Sequence, residues 1–416
     1  MPESVTEQKK KGVAGKIAAV LFASFFLFNA IDSPIPGISY GELILAVAAA
    51  LTFFDGAGSR LRLYSVHRDM LLFALICLTV TLATASFQPV FSISQFAVRT
   101  ARWIFYIGCA AILGGRIDQK QLRALFFVIG VAASFFLIIQ VVIYRTTGLT
   151  VTFQIGGQTL GGTAENIYTN GIRTGSIFRF SSFFSEPAHF SYYVILALTF
   201  TLIYRETLNL DMATFGGIVI MLVALICCSS TYAILLTGVL VFAFFVLFLR
   251  YQKISRRSVM WAVALLLAGI ILLFVFRNSS LGNYLISKLV SVGNTSRTSF
   301  VWNQSHLFST LQRCVGVGIG NEENYYSYMA NTQMGYMNSF SMAFFYCGFT
   351  GVVLILLFYV KSWISFRSPA RVLLVLFAAM SLYSTAFFST VMVLYTVAIA
   401  SGECEPVWCS RERSEA

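Results

Sequence analysis

Apolar runs, each closed by a short polar or basic stretch, repeat along almost the whole chain. They occupy 17–31, 41–54, 70–87, 94–113, 122–144, 187–204, 214–228, 232–249, 259–276 and 339–360, followed by one continuous stretch at 372–400. Runs near or above ~18 residues are long enough to cross a bilayer as helices. The last stretch, at 29 residues, is too long for one ordinary span and short for two. Ser384 and the FFST at 387–390 supply a turn, which predicts two short helices there. The pattern therefore predicts an all-α polytopic membrane protein of about 12 transmembrane helices, or 11 if the final stretch is a single span.

Two long polar segments break this rhythm, at 145–186 and 277–338. Loops longer than about 12–15 residues in a compact protein usually carry function or disorder. Both are rich in Gly, Asn, Thr and Tyr with little net charge, which argues against disorder. In the second, Phe300, Val301, Leu307, Phe308 and Leu311 share one face at helical spacing, while Trp302, His306, Ser309 and Arg313 line a neighbouring one. That predicts an amphipathic helix over 298–311 lying flat on the membrane surface. The chain then divides into helices 1–5 (1–144), a first long loop (145–186), helices 6–9 (187–276), a second long loop (277–338) and the C-terminal helices with a tail (339–416).

Composition fixes the class behind this pattern. The 416 residues are 57% hydrophobic and 11% charged, where a soluble domain carries roughly 25% charged residues. A soluble chain of this size has too little polar surface to cover so many apolar helices. The net charge of +12 would suit nucleic acid only on a basic, water-exposed domain, and no stretch reads as one. Placing the N-terminus in the cytoplasm puts 18 of the 29 basic residues on that side and none in the short outer loops at 32–40 and 88–93. This positive-inside bias orients both long loops to the outer face. The lysine-rich start precedes no small-residue cleavage pattern, so the first run is expected to be a retained helix.

Eight cysteines and three histidines are scattered, and neither a disulfide framework nor a metal-ligand spacing emerges. His67, beside Arg68, is expected in a cytoplasmic loop without a role. The charges near the outer face say more. Gln95, Arg99, Arg102 and Tyr106 fall at i, i+4, i+7 and i+11 of the fourth span, a single polar stripe. An intramembrane arginine costs several kcal/mol unless it meets a cavity, a partner or an interface. Either both arginines snorkel to headgroups, or they form an anion site suited to phosphate or diphosphate. Arg173, Arg179 and Arg297 fall on the same side, and no matching set of outer carboxylates is evident. Glu186 precedes Pro187, the expected first residue of the sixth helix. It can cap that helix, act as a general base on a hydroxyl, or do both.

Several stretches resemble one family. RFSSFFSEPAHFSYY, ending at Tyr193, resembles the Arg–Phe–Glu–Pro–His signature that opens a mid-chain helix in Wzy-type bacterial polysaccharide polymerases. NTSRTSFVW (294–302) followed by VGVGIGN (315–321) is similar to the second signature of the wider O-antigen polymerase and ligase superfamily. CSSTYAILLTGVL (228–240) and MNSFSMAFFYCGFTG (337–351) resemble the intervening helix and the closing segment. The resemblance runs from 173 to 351 in the family's order.

It implies an integral glycosyltransferase of the bacterial inner membrane, inverting and independent of metal or cofactor. Its substrate would be an undecaprenyl-pyrophosphate-linked oligosaccharide, joined repeat by repeat at the periplasmic face into O-antigen, capsule or exopolysaccharide. A flippase and a chain-length regulator are the implied partners. On this chain the resemblance implies pyrophosphate or sugar binding by Arg99, Arg102, Arg173, Arg179, Arg297 and Asn338. Glu186 is the first choice for general base, with His306 and His189 behind it. The ligase branch carries a His–Asn pair where this chain reads Met337–Asn338, which favours polymerase over ligase. A lipid-linked oligosaccharide transporter is the alternative from another class, although neither an internal repeat nor midplane polarity is evident.

Overall fold

The computed structural model describes residues 13–29, 31–55, 63–155, 158–160, 179–203, 211–251, 305–330, 337–366 and 368–402. Helices α1 (Val13–Phe25), α2 (Tyr40–Asp55), α3 (Ser65–Thr84), α4 (Ile93–Gly114) and α5 (Gln119–Thr147) lead into a small antiparallel hairpin of β1 (Phe153–Ile155) and β2 (Gln158–Leu160). Then follow α6 (Pro187–Ile203), α7 (Met212–Cys227), α8 (Thr231–Tyr251), the short α9 (Thr310–Val315) and α10 (Glu322–Ala330), and finally α11 (Ser339–Ser365), α12 (Ser368–Tyr383) and α13 (Thr390–Gly402). Among the described residues, four helices are long and apolar enough to cross a bilayer, and six shorter apolar segments accompany them. This is a helical membrane protein.

Most expected runs are helices whose ends differ by a few residues. The first ends early, at Phe25, because the chain turns there and brings Asn29 against α13, where its amide donates to Thr390 Oγ1 at 3.2 Å. The stretch at 372–400 is two helices separated by a 3-10 turn at Ala386–Phe388, where Ser384 and FFST predicted a break. The expected span at 259–276 lies outside the described residues.

Two helices form the interior. Both α6 and α13 are apolar around their whole circumference, and nearly every described side chain on them is buried. A helix without a polar face can be enclosed by lipid or by protein, and the burial of these two shows that protein encloses them. Tyrosine hydroxyls that would be unsatisfied there donate to backbone carbonyls instead: Tyr395 to Tyr192 at 3.0 Å, and Tyr193 to Ala23 at 2.8 Å. His67 belongs to this interior as well. It sits in the first turn of α3, wholly buried beside Gly114 of α4, which corrects its expected place in a loop.

The described part of the second long segment packs onto the end of the bundle formed by the α3–α4 connection. The helix expected over 298–311 is not continuous here, and its residues 298–304 lie outside the described set. A 3-10 turn at Ser305–Leu307 ends, and Ser309 starts a new helix through a reciprocal capping box with Gln312. The expected apolar face therefore splits. Phe308 is buried against Tyr325, Phe344 and Phe345, whereas Leu311 is 55% exposed.

The glycine-rich turn after α9 enters a break in α11. At Cys347 and Gly348 the α11 backbone leaves helical geometry, with Gly348 at φ 63° and ψ −152°. The interruption leaves the Phe345 carbonyl to accept from Val317 N–H at 2.7 Å, and Thr350 Oγ1 donates to the Cys314 carbonyl at 2.9 Å. A Cβ on Gly348 would strike the Arg313 carbonyl oxygen and come within 2.5 Å of the Cys314 carbonyl carbon. Only glycine lets the two backbones meet at this conformation.

Candidate functional site

The Arg102–Tyr106 end of the polar stripe of α4 turns toward the neighbouring helices, while Gln95 and Arg99, nearer its start, are exposed. Glu42, in the first turn of α2, is 7% exposed and collects three donors. Tyr106 Oη donates to its Oε1 at 2.6 Å, Arg102 Nε reaches the same oxygen at 2.9 Å, and Ser39 N–H donates to Oε2 at 2.8 Å. The Ser39 hydroxyl in turn accepts from Glu42 N–H at 3.1 Å, completing a capping box. Arg102 also donates to the Gly37 carbonyl. The expectation that the outer arginines lack a carboxylate is thus corrected for Arg102, whose charge is met by Glu42 inside the protein. A half-buried arginine and a buried carboxylate joined by several hydrogen bonds satisfy each other.

Arg99, one turn earlier, has no hydrogen bond or ion pair among the described residues. Its guanidinium borders two cavities, each of about 230 Å³. The inner cavity is bounded by Arg99, Arg102, Trp103 and Tyr106 of α4, His189 of α6, Tyr346 of α11 and Thr390 of α13. The second is a groove between Ser94, Gln95, Val98 and Arg99 of α4 and Gly320, Glu322 and Glu323 at the start of α10.

The glycine turn holds this groove in place. Asn321 is wholly buried, and its Oδ1 accepts from Ser92 N–H at 2.7 Å while its Nδ2 donates to the Ile319 carbonyl at 3.1 Å. Ile319 N–H donates to Thr81 Oγ1 at 3.1 Å, and Asn324 Nδ2 donates to Gln95 Oε1 at 2.8 Å. A side chain at Gly320 would lie 2.7 Å from the Gln95 carbonyl and 3.0 Å from Arg99 Cγ, so glycine is what allows α10 to begin beside Arg99. Glu322 is 2% exposed, and its Oε2 has no hydrogen-bond partner among the described residues. Burial raises its pKa, partly opposed by backbone amides and by Arg99.

The remaining expected residues are dispersed. Glu186 is exposed at the start of α6 and lines neither cavity. His189, one turn on, does line the inner cavity, with Nδ1 paired to Ser185 Oγ and its ring edge-on to Phe26. Arg179 lies near Cys228, away from both cavities, and its buried Nε has no partner among the described residues. His306 is exposed in its 3-10 turn. Asn338 is the N-cap of α11. Its Oδ1 accepts from Ser341 N–H at 2.7 Å and its Nδ2 donates to the Leu382 carbonyl at 2.9 Å, so its amide is engaged in folding. Arg173 and Arg297 lie outside the described residues. Glu42 and Glu322 are the additions. The S-x-x-E of SYGE at 39–42 is a capping-box signal for the first, and the acidic pair directly after GVGIGN points to the second.

A scan against family models, a search of curated proteins and a search of solved structures each return no match to this chain.

Proposed function

We propose that this protein is a polysaccharide polymerase of the Wzy type. It joins oligosaccharide repeat units carried on undecaprenyl pyrophosphate at the periplasmic face of the bacterial inner membrane. The observation that carries the reading is Arg99, an exposed arginine near the start of α4 that has no hydrogen bond or ion pair among the described residues and borders two cavities. An exposed guanidinium at the edge of two cavities is free to pair with an anionic ligand. A pyrophosphate leaving group supplies the anion, and fixed positive charge beside it stabilises the bond-breaking transition state. The inner cavity offers aromatic walls in Trp103 and Tyr346, with polar groups from Asn29, His189 and Thr390 for sugar hydroxyls. The ordered likeness to the family's signatures, from 173 to 351, supports the same assignment.

Reaction at the anomeric carbon also needs a group to receive the acceptor's proton. Glu186 stands outside both cavities, and Arg102 is committed to Glu42, so Arg99 carries the leaving-group role. The test is a chain-length ladder from purified protein in nanodiscs, given one lipid-pyrophosphate-linked repeat unit as sole substrate. Arg99→Ala should lower the rate by ~100- to 1,000-fold, the scale of losing one charge-stabilising donor. A folded Arg99→Ala variant with the wild-type ladder would sink the reading.

The break in α11 favours a second reading, because discontinuous helices line substrate sites in transporters. Transbilayer movement of the lipid-linked unit in liposomes without any ladder would decide for a transporter. Transfer of preassembled chains to a lipid A core acceptor would decide for a ligase.

A further inference from the structure

A base for the acceptor's proton has to stand on the wall of the inner cavity and change charge near neutral pH. Among the described residues, the titratable side chains lining that cavity are Arg99, Arg102, Tyr106, His189 and Tyr346. Arginine stays protonated throughout the working range, and an unperturbed phenol releases its proton only near pH 10. The Tyr106 hydroxyl is in addition engaged with Glu42. Histidine is the side chain that exchanges a proton between about pH 5 and pH 8. The other candidates are missing from this wall. Glu186 and His306 line neither cavity, and His67 is wholly buried beside Gly114 at the far end of α4.

The contacts of His189 leave one ring nitrogen for a ligand. The side chain is half-buried in the first turn of α6, with its ring edge-on to Phe26. Ser185 Oγ is hydrogen-bonded to Nδ1. Nε2 is bonded to none of the described residues, and it is not sealed from solvent. A serine hydroxyl can accept from Nδ1–H, and in that tautomer Nε2 carries the free lone pair.

We propose that His189 takes the proton of the attacking sugar hydroxyl at Nε2, in the cavity that Arg99 borders. The proposal rests on the polymerase reading. In the step, the acceptor oxygen bonds to the anomeric carbon of the donor chain. The bond from that carbon to the pyrophosphate oxygen breaks and leaves its electron pair on the pyrophosphate beside Arg99. The hydroxyl proton passes to the imidazole, which becomes an imidazolium with Ser185 still accepting from Nδ1–H.

The titratable and charged groups around the ring come from three elements. Its own segment supplies Glu186 and Tyr192, α4 supplies Arg99, Arg102 and Tyr106, and α11 supplies Tyr346. The turn after α1 and the start of α13 contribute the neutral Phe26, Asn29 and Thr390. Glu186 is the negative charge that attracts the imidazolium once it forms. Its place outside both cavities fits that supporting part and not the transfer itself.

The experiment uses full-length protein in nanodiscs and the lipid-pyrophosphate repeat unit extracted from cells lacking this protein. Ladder formation by wild type, His189→Gln and His189→Asn is followed from about pH 5 to about pH 9, a span that brackets histidine titration. The wild-type rate should rise with pH as His189 loses its proton. Both variants should lose ~100- to 10,000-fold in kcat and show no such rise. Thermal melts establish that each variant is folded. A folded variant that keeps the wild-type rate, or falls in rate yet keeps the wild-type pH rise, overturns the proposal while the polymerase reading stands. A wild-type rate that stays flat across the range does the same without any variant. A wild-type protein that makes no ladder overturns both.

Discussion

Replacing Gly348 with alanine tests how the glycine-rich turn is held. At φ 63° and ψ −152° the residue occupies a region that L-residues enter at a cost of roughly 1–3 kcal/mol. The added methyl also meets backbone, the Arg313 carbonyl oxygen and the Cys314 carbonyl carbon at 2.5 Å, and backbone cannot rotate aside as a side-chain tip can. Overpacking of this kind costs about 1–3 kcal/mol. The sum, about 2–6 kcal/mol, falls on the junction between α9 and the break in α11. The measurement is the fraction of folded protein surviving a temperature ramp in one detergent, read by size-exclusion chromatography. Gly108→Ala is the control, since a Cβ there meets nothing within 4 Å and should change stability by at most ~1 kcal/mol. Gly348→Ala should melt well below both wild type and control, and should slow ladder formation because the same junction positions α10 beside Arg99. Equal melting of the two glycine variants would refute the close backbone approach.

Other consequences can be checked alongside. Glu42→Ala strands Arg102 and the Tyr106 hydroxyl and should cost about 2–3 kcal/mol, since water reaches a guanidinium that is 35% exposed; adding Arg102→Ala should recover part of that loss in a double-mutant cycle. Glu322 has its folded pKa raised from 4.5 by burial, so the native state binds the extra proton and wild-type stability falls as pH rises through the folded pKa. Glu322→Gln should remove that fall and melt higher than wild type at neutral pH, and a variant with the wild-type pH profile of stability would contradict it. Asn338→Ala removes the α11 cap and should cost ~1 kcal/mol, while the folded fraction keeps its rate of ladder formation.

The pattern of apolar runs made the helices legible, because a bilayer-length hydrophobic stretch has few alternatives. The turn between α12 and α13 was readable from Ser384 and FFST for the same reason: small hydroxyl residues can satisfy a freed backbone. The polar stripe, of which only the Arg102–Tyr106 end turns inward, was legible in its spacing, since Gln95, Arg99, Arg102 and Tyr106 share a face. What the stripe meets was not. Glu42 reaches Arg102 from a separate helix, and counting its neighbourhood as an apolar run hid the only acid in it. The helix expected over 298–311 failed at Ser309, where a capping box overrode a continuous apolar periodicity. Glu322 gained its interest from burial, which depends on Gly320, Asn321 and the α11 break acting together.

The inner cavity has a depth that its lining residues reveal. Ala400 of α13 meets Gly114 of α4 at the far end of the bundle, so those two positions are level. From there α4 climbs 21 residues to Ile93, about 32 Å, while α13 climbs only ten to Thr390, about 15 Å. Thr390 on the cavity wall therefore lies roughly 16 Å below the top of α4, near the middle of its length, and Tyr106 on α4 lies slightly lower still. That depth is about half the ~30 Å thickness of a bilayer's hydrocarbon layer. A ligand group that meets Thr390 from the start of α4 therefore has to pass about half the length of that helix, beyond Arg99 and Arg102.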